Sequence, residues 1–390
     1  MADNFDRIIS REGTASIKYD ARSEHFGRHD VLPLGIADMD FAAPEAIQRA
    51  LIARASHPIY GYTVQPESVF AALTDWLRKR YDWTVKRDWV MLCPGVVPSL
   101  HASIYAFTQV NDAVIVQPPV YAPFLSAPNA TGRKLILNPL KFAAGCYRFD
   151  FENLERHAQD GAKFLLLCSP HNPVGRVWKT DELQTLLDIC QHYGITVLSD
   201  EIHADLTYHD IHHTPLAKLA HGKVNVITAV APSKTFNIPG LGLSALIVPN
   251  AVDRTAITRA FDMLHISASN PFSIAAFEAA YLEGASWLES LLEYLAGTRK
   301  LVEDYLLQHL PDIKLIAPEG TYLLWLDCRS MQLNDQQLKH FFVLEAGVGL
   351  TPGTLFGEGG SGFMRMNIAA PRSLIIRALE QISRAEHTRK

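Results

Sequence analysis

A lysine, a carboxylate, an imidazole, an amide and a tyrosine each sit just beyond a short apolar run in the middle of this chain. The stretches are Pro118-Pro119-Val120-Tyr121, Ser169-Pro170-His171-Asn172-Pro173, Asp200-Glu201-Ile202-His203 and Ala231-Pro232-Ser233-Lys234. A fifth run ends at Pro94-Gly95-Val96-Val97, where a helical pattern opens. A lysine whose pKa is lowered by burial or a nearby cation can attack an aldehyde and later act as a base. A carboxylate such as Asp200 can keep a pyridine nitrogen protonated, which strengthens the ring as an electron sink. Asn172 and His203 can hydrogen-bond a phenolic oxygen, and Tyr121 can stack on a ring face. Free backbone N–H groups at a helix start near Gly95 suit a phosphate. The set asks for a flat, phosphorylated, cationic heteroaromatic aldehyde, and pyridoxal 5′-phosphate is such a molecule.

Residues this far apart need a scaffold that gathers them. Candidate strands are Val90–Cys93, Ala113–Gln117, Lys134–Leu137, Phe164–Cys168, Thr196–Ser199, Val224–Val230 and Ser244–Val248. They are rich in Val, Ile and Leu without clean alternation, as strands buried on both faces are. Helical patterns lie between them, including Gly95–Thr108 and Asp181–Tyr193, the latter with Thr180 as N-cap and Gly194 as C-cap. Strand and helix in succession predict an α/β layer with a mostly parallel sheet of seven strands. Ligands of such sheets bind beyond the carboxyl ends of the strands, where the polar residues above fall.

The ends of the chain read differently. Residues 1–45 are irregular, a long helical pattern runs from Phe272 to Leu310, and Thr321–Leu326 and Phe363–Asn367 read as strands. Helices are expected at Asp335–Ala346 and Arg372–Ala385. The expectation is a large domain over 46–280 and a smaller α+β domain joining 1–45 to 281–390.

Composition bounds the function. The 390 residues are 48% hydrophobic and 20% charged, with a formal net charge of −5, which is ordinary for a globular chain and unlike a phosphate-backbone binder. No apolar run reaches the length of a membrane span. The five cysteines are scattered without a CxxC, and the first thirteen residues lack a signal-peptide core. A cytoplasmic protein without nucleic-acid or membrane partners is expected.

The order Asn172-Pro173-x-Gly175, Asp200-x-x-His203, Ser233-Lys234 and then Arg365 resembles fold-type I PLP enzymes, the aspartate aminotransferase superfamily, over nearly the whole chain. More narrowly, Ala37-Asp38-Met39-Asp40-Phe41, Tyr60-Gly61-Tyr62, Ser199–His203, Ser233–Pro239 and Phe363–Asn367 are similar to the MalY/PatB-type C–S lyases. The resemblance implies that Lys234 carries the cofactor, Asp200 faces its ring nitrogen, Asn172 contacts the phenolic oxygen and Tyr121 stacks. It further implies that Gly95, Val96 and Ser233 hold the phosphate and that Arg365 clamps the substrate carboxylate. Tyr62 would reach the cofactor phosphate of a neighbouring subunit, so a homodimer with shared sites is implied. Asp38 is a further candidate at the substrate site. Many aminotransferases of the superfamily have Tyr where this chain has His203, and Arg where it has Gly242; both differences match the lyases. Ala231 and Val174 depart from the usual hydroxyl residues near the phosphate.

The expected activity is α,β-elimination from cystathionine or a related S-substituted cysteine, with amino transfer and a regulatory protein retaining the cofactor site as alternatives. Each residue also has a plain reading. Lys234 alone is a solvated lysine, Asp200 a helix cap, Asn172-Pro173 a turn, Arg365 half of a surface ion pair, and Tyr121 and His203 core residues. Asp38 and Asp40 can cap the segment before Pro44. His209, His212 and His213 read as a solvated loop, and Gly357–Gly362 as a flexible turn before the Arg365 strand.

Overall fold

The computed structural model describes residues 4–389. All seven expected strands are present and share one sheet. Its order is Val90–Cys93, Ser244–Ile247, Val226–Val230, Thr196–Asp200, Phe164–Cys168, Ala113–Val116, Lys134–Leu137. Ser244–Ile247 runs antiparallel to both of its neighbours, and the remaining pairs are parallel.

Strand residues alternate between two cores, as the two-residue period requires. Leu165, Leu167 and Val197 pack with Leu154, Leu183 and Leu187, from the helices Phe151–Gln159 and Thr180–Tyr193. Phe164, Leu166 and Leu198 pack with Leu100, Ile104 and Ile257, from the helices Val96–Phe107 and Ala251–Met263. Both faces are covered, which is why these strands carry unbroken apolar runs.

A second, antiparallel sheet has the order Lys314–Leu315, Leu323–Asp327, Phe363–Asn367, Thr351–Pro352. In it Arg365 lies opposite Trp325 on one side and Thr351 on the other. The N-terminal segment forms two short helices, Ile17–Asp20 and Arg22–Phe26, and then pairs Leu32–Pro33 in parallel with Val348–Gly349. Among the described residues no helix is long and apolar enough to cross a membrane.

Three local expectations are corrected. The pattern from Phe272 to Leu310 is two helices, Pro271–Glu283 and Ala285–His309. They meet at Gly284, where a Cβ would lie 2.4 Å from the Phe236 ring and from the Ala280 carbonyl. Thr180 is the first residue of its helix rather than the cap; Lys179 holds that position, and its N–H donates to Glu182 Oε2 at 2.9 Å. The helix from Asp335 ends at His340 and continues as a π turn over Phe341–Glu345.

The glycine-rich turn before the Arg365 strand is tightly packed. A Cβ on Gly353 would fall 2.0 Å from the Gly360 carbonyl oxygen and 2.7 Å from that of Phe363, both backbone atoms that cannot swing aside. Gly353→Ala therefore lowers the unfolding free energy by about 1–3 kcal/mol, the usual cost of overpacking, read as a reduced midpoint in urea. A wild-type midpoint would show that the 353–362 turn yields freely.

Candidate active site

Strand order in the large sheet reverses between Phe164–Cys168 and Ala113–Val116, the point at which the loops of such a sheet part and a ligand crevice is expected. The two loops remain joined by the Tyr121 N–H, which donates to the Asn172 carbonyl at 3.1 Å. Asn172 is buried, and Tyr121 keeps 38% of its surface exposed.

Lys234 lies on the four-residue helix Pro232–Thr235, which starts where Val226–Val230 ends. Its Nζ donates to the Ala37 carbonyl at 2.6 Å, and Tyr322 Oη donates to the same oxygen at 3.1 Å. Burial lowers the affinity of the amine for its proton and Arg365 lowers it further. Asp38 and Asp200 pull the other way, leaving the pKa at about 8. A larger share of neutral amine is thereby available near neutral pH than an exposed lysine offers.

Asp200 closes its strand and is buried. Burial pushes its carboxyl up to about 7, against the Ile202 N–H, which donates to Oδ1 at 3.1 Å, and against the Lys234 charge. His203, also buried, is lowered to about 3 by burial and by the charges of Lys234 and Arg365. Its imidazole is neutral, its Nδ1 has no hydrogen-bond partner among the described residues, and its ring stands edge-on to Tyr322 with centroids 6.2 Å apart.

Arg365 is buried on its strand, and all its hydrogen bonds go to uncharged acceptors. Nη1 donates to Asn172 Oδ1 (2.9 Å), while Nη2 donates to the Gly35 carbonyl (2.8 Å) and, more loosely, to Thr351 Oγ1 (3.4 Å). Nε has no partner among the described residues, and the guanidinium lies 4.8 Å from the Phe356 ring centre. Burial lowers its pKa to about 10, so it stays charged at neutral pH.

Other expected residues divide between this centre and its margins. Gly95 caps the helix Val96–Phe107. The first backbone bond back to the Gly95 carbonyl comes from Ser99, so the Val96 and Val97 N–H groups precede any intrahelical acceptor. Gly242 lies against this loop, with φ +54° and a Cβ position only 3.4 Å from the Pro94 carbonyl, so a long side chain there has little room. Ser233 is half-buried beside Lys234. The Asp38 carboxylate is engaged elsewhere, in a fork with Arg11 (3.0 and 2.6 Å) and near Lys18 (3.6 Å). Burial acts to raise its pKa, but these cations hold it below the ordinary value. Tyr62 is fully exposed at 108% and joins none of the groups above within its own chain.

The structure adds participants that their sequence positions did not single out. Carbonyls of residues 35–39 accept from Arg365, Asn367, Lys234, Tyr322 and Asn237, so this irregular, bent segment is tied to the groups of the site. Asn237 and Asn367 lay inside quoted motifs, but a backbone acceptor such as Ala37 O leaves no mark in a sequence. The histidine cluster needs correction. His209 and His212 are exposed, but His213 is buried and its Nε2 meets Glu201 Oε2 at 2.8 Å. Ser199 Oγ and the Leu216 N–H donate to the other oxygen of Glu201, fixing the residue next to Asp200.

Residues 29–382 match the aminotransferase class I and II family, and the chain belongs to it. It is 40% identical to cystathionine β-lyase PatB of Bacillus subtilis over 98% of this chain and 99% of that one. Protein MalY of Escherichia coli is 32% identical over 95% of each chain. The solved structure of cystalysin from Treponema denticola, which contains a pyridoxal 5′-phosphate cofactor, superposes with a TM-score of 0.97. It is 35% identical, and the match covers all of both chains.

Asp200 and His203 act on stability with opposite signs in the ligand-free protein. His203 is depressed from 6.5, so its contribution is present above that pH and is lost as pH falls toward 3. Asp200 is raised from 3.8, so its contribution is present below that pH and is lost as pH rises through about 7. Between about pH 4 and 6.5 the two offset each other. Asp200→Asn removes one of them, so stability rises more steeply with pH there, by up to about 1.4 kcal/mol per pH unit relative to wild type. Urea titrations across that range check this, and parallel profiles would contradict the burial-driven shift at Asp200.

Proposed function

We propose that this chain is a pyridoxal 5′-phosphate-dependent carbon–sulfur lyase that cleaves cystathionine or a related S-substituted cysteine to a thiol, pyruvate and ammonia. The observation that carries it is the constellation of half-buried Lys234 with buried Asp200 and Arg365, in a chain that matches cystathionine β-lyase PatB over nearly its full length. The site fits the cofactor on its own terms. Among the described residues His203 Nδ1 is a buried polar atom without a partner, burial pushes Asp200 up to about 7, and a helix start offers free N–H groups.

When bound, the cofactor supplies an aldehyde that condenses with amines and a cationic ring that draws electrons from the substrate Cα. Lys234 would hold it covalently, with Asp200 at the ring nitrogen and Asn172 and His203 at the phenolic oxygen. Tyr121 would lie on the ring, and Gly95, Val96 and Ser233 at the phosphate. Arg365 would take the substrate α-carboxylate in a bidentate fork. With the substrate amine in its place on the aldehyde, Lys234 Nζ, favoured in its neutral form, would remove the Cα proton. The Cβ–S bond would break with its electron pair going to sulfur, which would take up the proton Lys234 then carries and leave as the thiol. Return of Lys234 Nζ to the aldehyde would free 2-aminoacrylate, which takes up water to give pyruvate and ammonia. Asp38, tied to Arg11, acts on this site through its charge near Lys234.

The wider reading includes a homodimer in which Tyr62 completes the partner's phosphate site. Exposed apolar side chains on adjoining segments support it: Ile59, Tyr60, Tyr62 and Val64, with Met263, Leu264 and Ile266. Tyr60 packs on Phe272 at 5.7 Å between centroids, and Gln65 bonds the Ala268 carbonyl, which joins the two segments into one face. Two domains, 46–280 and 1–45 with 281–390, are supported by the separate large and small sheets. A cytoplasmic site is supported by five free cysteines.

Lys234→Ala abolishes pyruvate release from cystathionine together with the visible absorbance of the bound cofactor; pyruvate at the wild-type rate would end the mechanism. Arg365→Ala keeps that absorbance but lowers kcat/KM at least about 30-fold, the lower end for truncating one partner of a buried charge pair. Loss of the cofactor spectrum instead would place Arg365 elsewhere. Adding a 2-oxo acid acceptor leaves pyruvate and thiol release as the main flux; dominant amino transfer would favour an aminotransferase.

A further inference from the structure

We propose that Asp205 is a positioning residue for Lys234, tying the loop that carries Asp200 and His203 to the helix that carries the lysine. The inference deepens the functional reading above and rests on it. Asp205 is a buried carboxylate whose two oxygens have separate duties. Oδ1 accepts from Trp76 Nε1 (3.1 Å) and Tyr81 Oη (2.5 Å) and forms an ion pair with Arg80 (Nε at 3.0 Å), whose Nη2 donates to the Asp205 backbone carbonyl (3.3 Å). Oδ2 accepts from Thr235 Oγ1 at 2.9 Å, and Thr235 is the residue after Lys234.

The two donors and the cation around Oδ1 belong to one helix, Glu67–Tyr81, so they fix the rotation of the carboxylate and aim Oδ2 at Thr235. Asp205 itself follows His203 by two residues and Asp200 by five. One buried hydrogen bond thus connects the segment proposed to face the ring nitrogen with the helix that holds the amine. Those two groups must act on opposite ends of one small rigid ring, where a displacement of an ångström matters.

The chain just after the lysine helix is held by the buried Phe236, 5.7 Å from Trp76 between ring centres, and by Asn237, whose side chain bonds residues 39 and 41. Within Pro232–Thr235 itself, among the described residues, the side-chain hydrogen bonds are those of Lys234 and Thr235. The bond from Lys234 Nζ to Ala37 uses the reacting amine itself. The Thr235–Asp205 bond does not, so it holds whether that amine is engaged or free. Charge on Asp205 also demands satisfaction: a buried carboxylate short of a donor is costly, which makes the geometry of the tie stringent.

The test uses the cofactor-loaded enzyme and two substitutions at the far end of the tie. Thr235→Val keeps the shape and removes the hydroxyl, while Thr235→Ser keeps the hydroxyl. With cystathionine as substrate, Thr235→Val lowers kcat by about tenfold and leaves KM within about twofold, as loss of alignment at the reacting amine does. The visible circular dichroism of the bound cofactor, which reports its seating in the site, changes in parallel. Thr235→Ser restores kcat and spectrum while melting no higher than Thr235→Val. Asp205→Asn, which sets amide hydrogens against existing donors, shows the same spectral change. Wild-type kcat and dichroism in Thr235→Val would overturn the proposal. So would a loss of kcat that only tracks melting temperature, with the dichroism intact. If wild type binds the cofactor but releases no pyruvate, the lyase reading fails, and the dichroism comparison still decides the role of the tie.

Discussion

Burying a guanidinium with no carboxylate beside it opposes folding by several kcal/mol, and the architecture around Arg365 exists in large part to make that burial tolerable. Its partners are an amide oxygen, a backbone carbonyl, a hydroxyl and an aromatic face, none of them charged. Each acceptor comes from a different stretch: Asn172 from the large sheet, Gly35 from the N-terminal segment, Thr351 from the neighbouring strand of the small sheet. The cation therefore forms its full set of contacts only where all three stretches meet. On the proposed reading, the anion it lacks is the carboxylate of an amino acid, and binding supplies what folding left incomplete.

The same constraint gives the N-terminal segment its importance. Residues 35–41 run past Arg365, Lys234 and Tyr322 and offer them carbonyl oxygens. That strap is anchored outside the crevice by charge. Arg11 grips Asp38 and Asp40, the buried Lys18 bonds Asp40 at 2.9 Å, and Tyr19 Oη reaches Asp40 at 3.2 Å. Because Lys18 and Asp40 are both withdrawn from water, removing Lys18 leaves Asp40 with Arg11 alone as its ion-pair partner (2.8 Å), and removing Asp40 leaves Lys18 only the looser Asp38 (3.6 Å), each at a cost in stability. A segment that looks irregular in sequence thus controls where the Ala37 carbonyl stands, and with it the resting position of the Lys234 amine.

The parts of the fold that were legible in the sequence are those written in side chains and in local order. The seven large-sheet strands could be read because covering both sheet faces forces unbroken apolar runs such as Phe164–Cys168 and Val226–Val230. Lys234, Asp200 and Asn172 could be read because strand ends are where polar groups become useful. The break at Gly284 was hidden because apolar periodicity continues through it, and only the approach of Phe236 explains the glycine. His213 was misread because its burial depends on Glu201, twelve residues away and turned inward. The Asp205 tie joins positions 129 and 30 residues apart, and the Ala37 acceptor has no side chain in it at all. What escaped the sequence is long-range pairing and backbone chemistry, which composition and spacing do not encode.

Burial also brings together proton affinities that water keeps far apart. In solution Lys234 and Asp200 would titrate near 10.5 and 3.8; in the crevice they stand at about 8 and about 7. Near neutral pH a proton then costs little to hold on either group, which is the condition for efficient proton transfer. The same crevice keeps His203 neutral, so its unpartnered nitrogen can serve as a hydrogen-bonding group without adding a third cation beside Lys234 and Arg365. Bringing a positively charged ring nitrogen to Asp200 would reverse the penalty of its burial and return it to the ionised state, just as a carboxylate would relieve Arg365. On the proposed reading, the unfavourable electrostatics of the ligand-free site and its complementarity to an amino acid on a cationic, phosphorylated ring are one property, seen before and after the charges are matched.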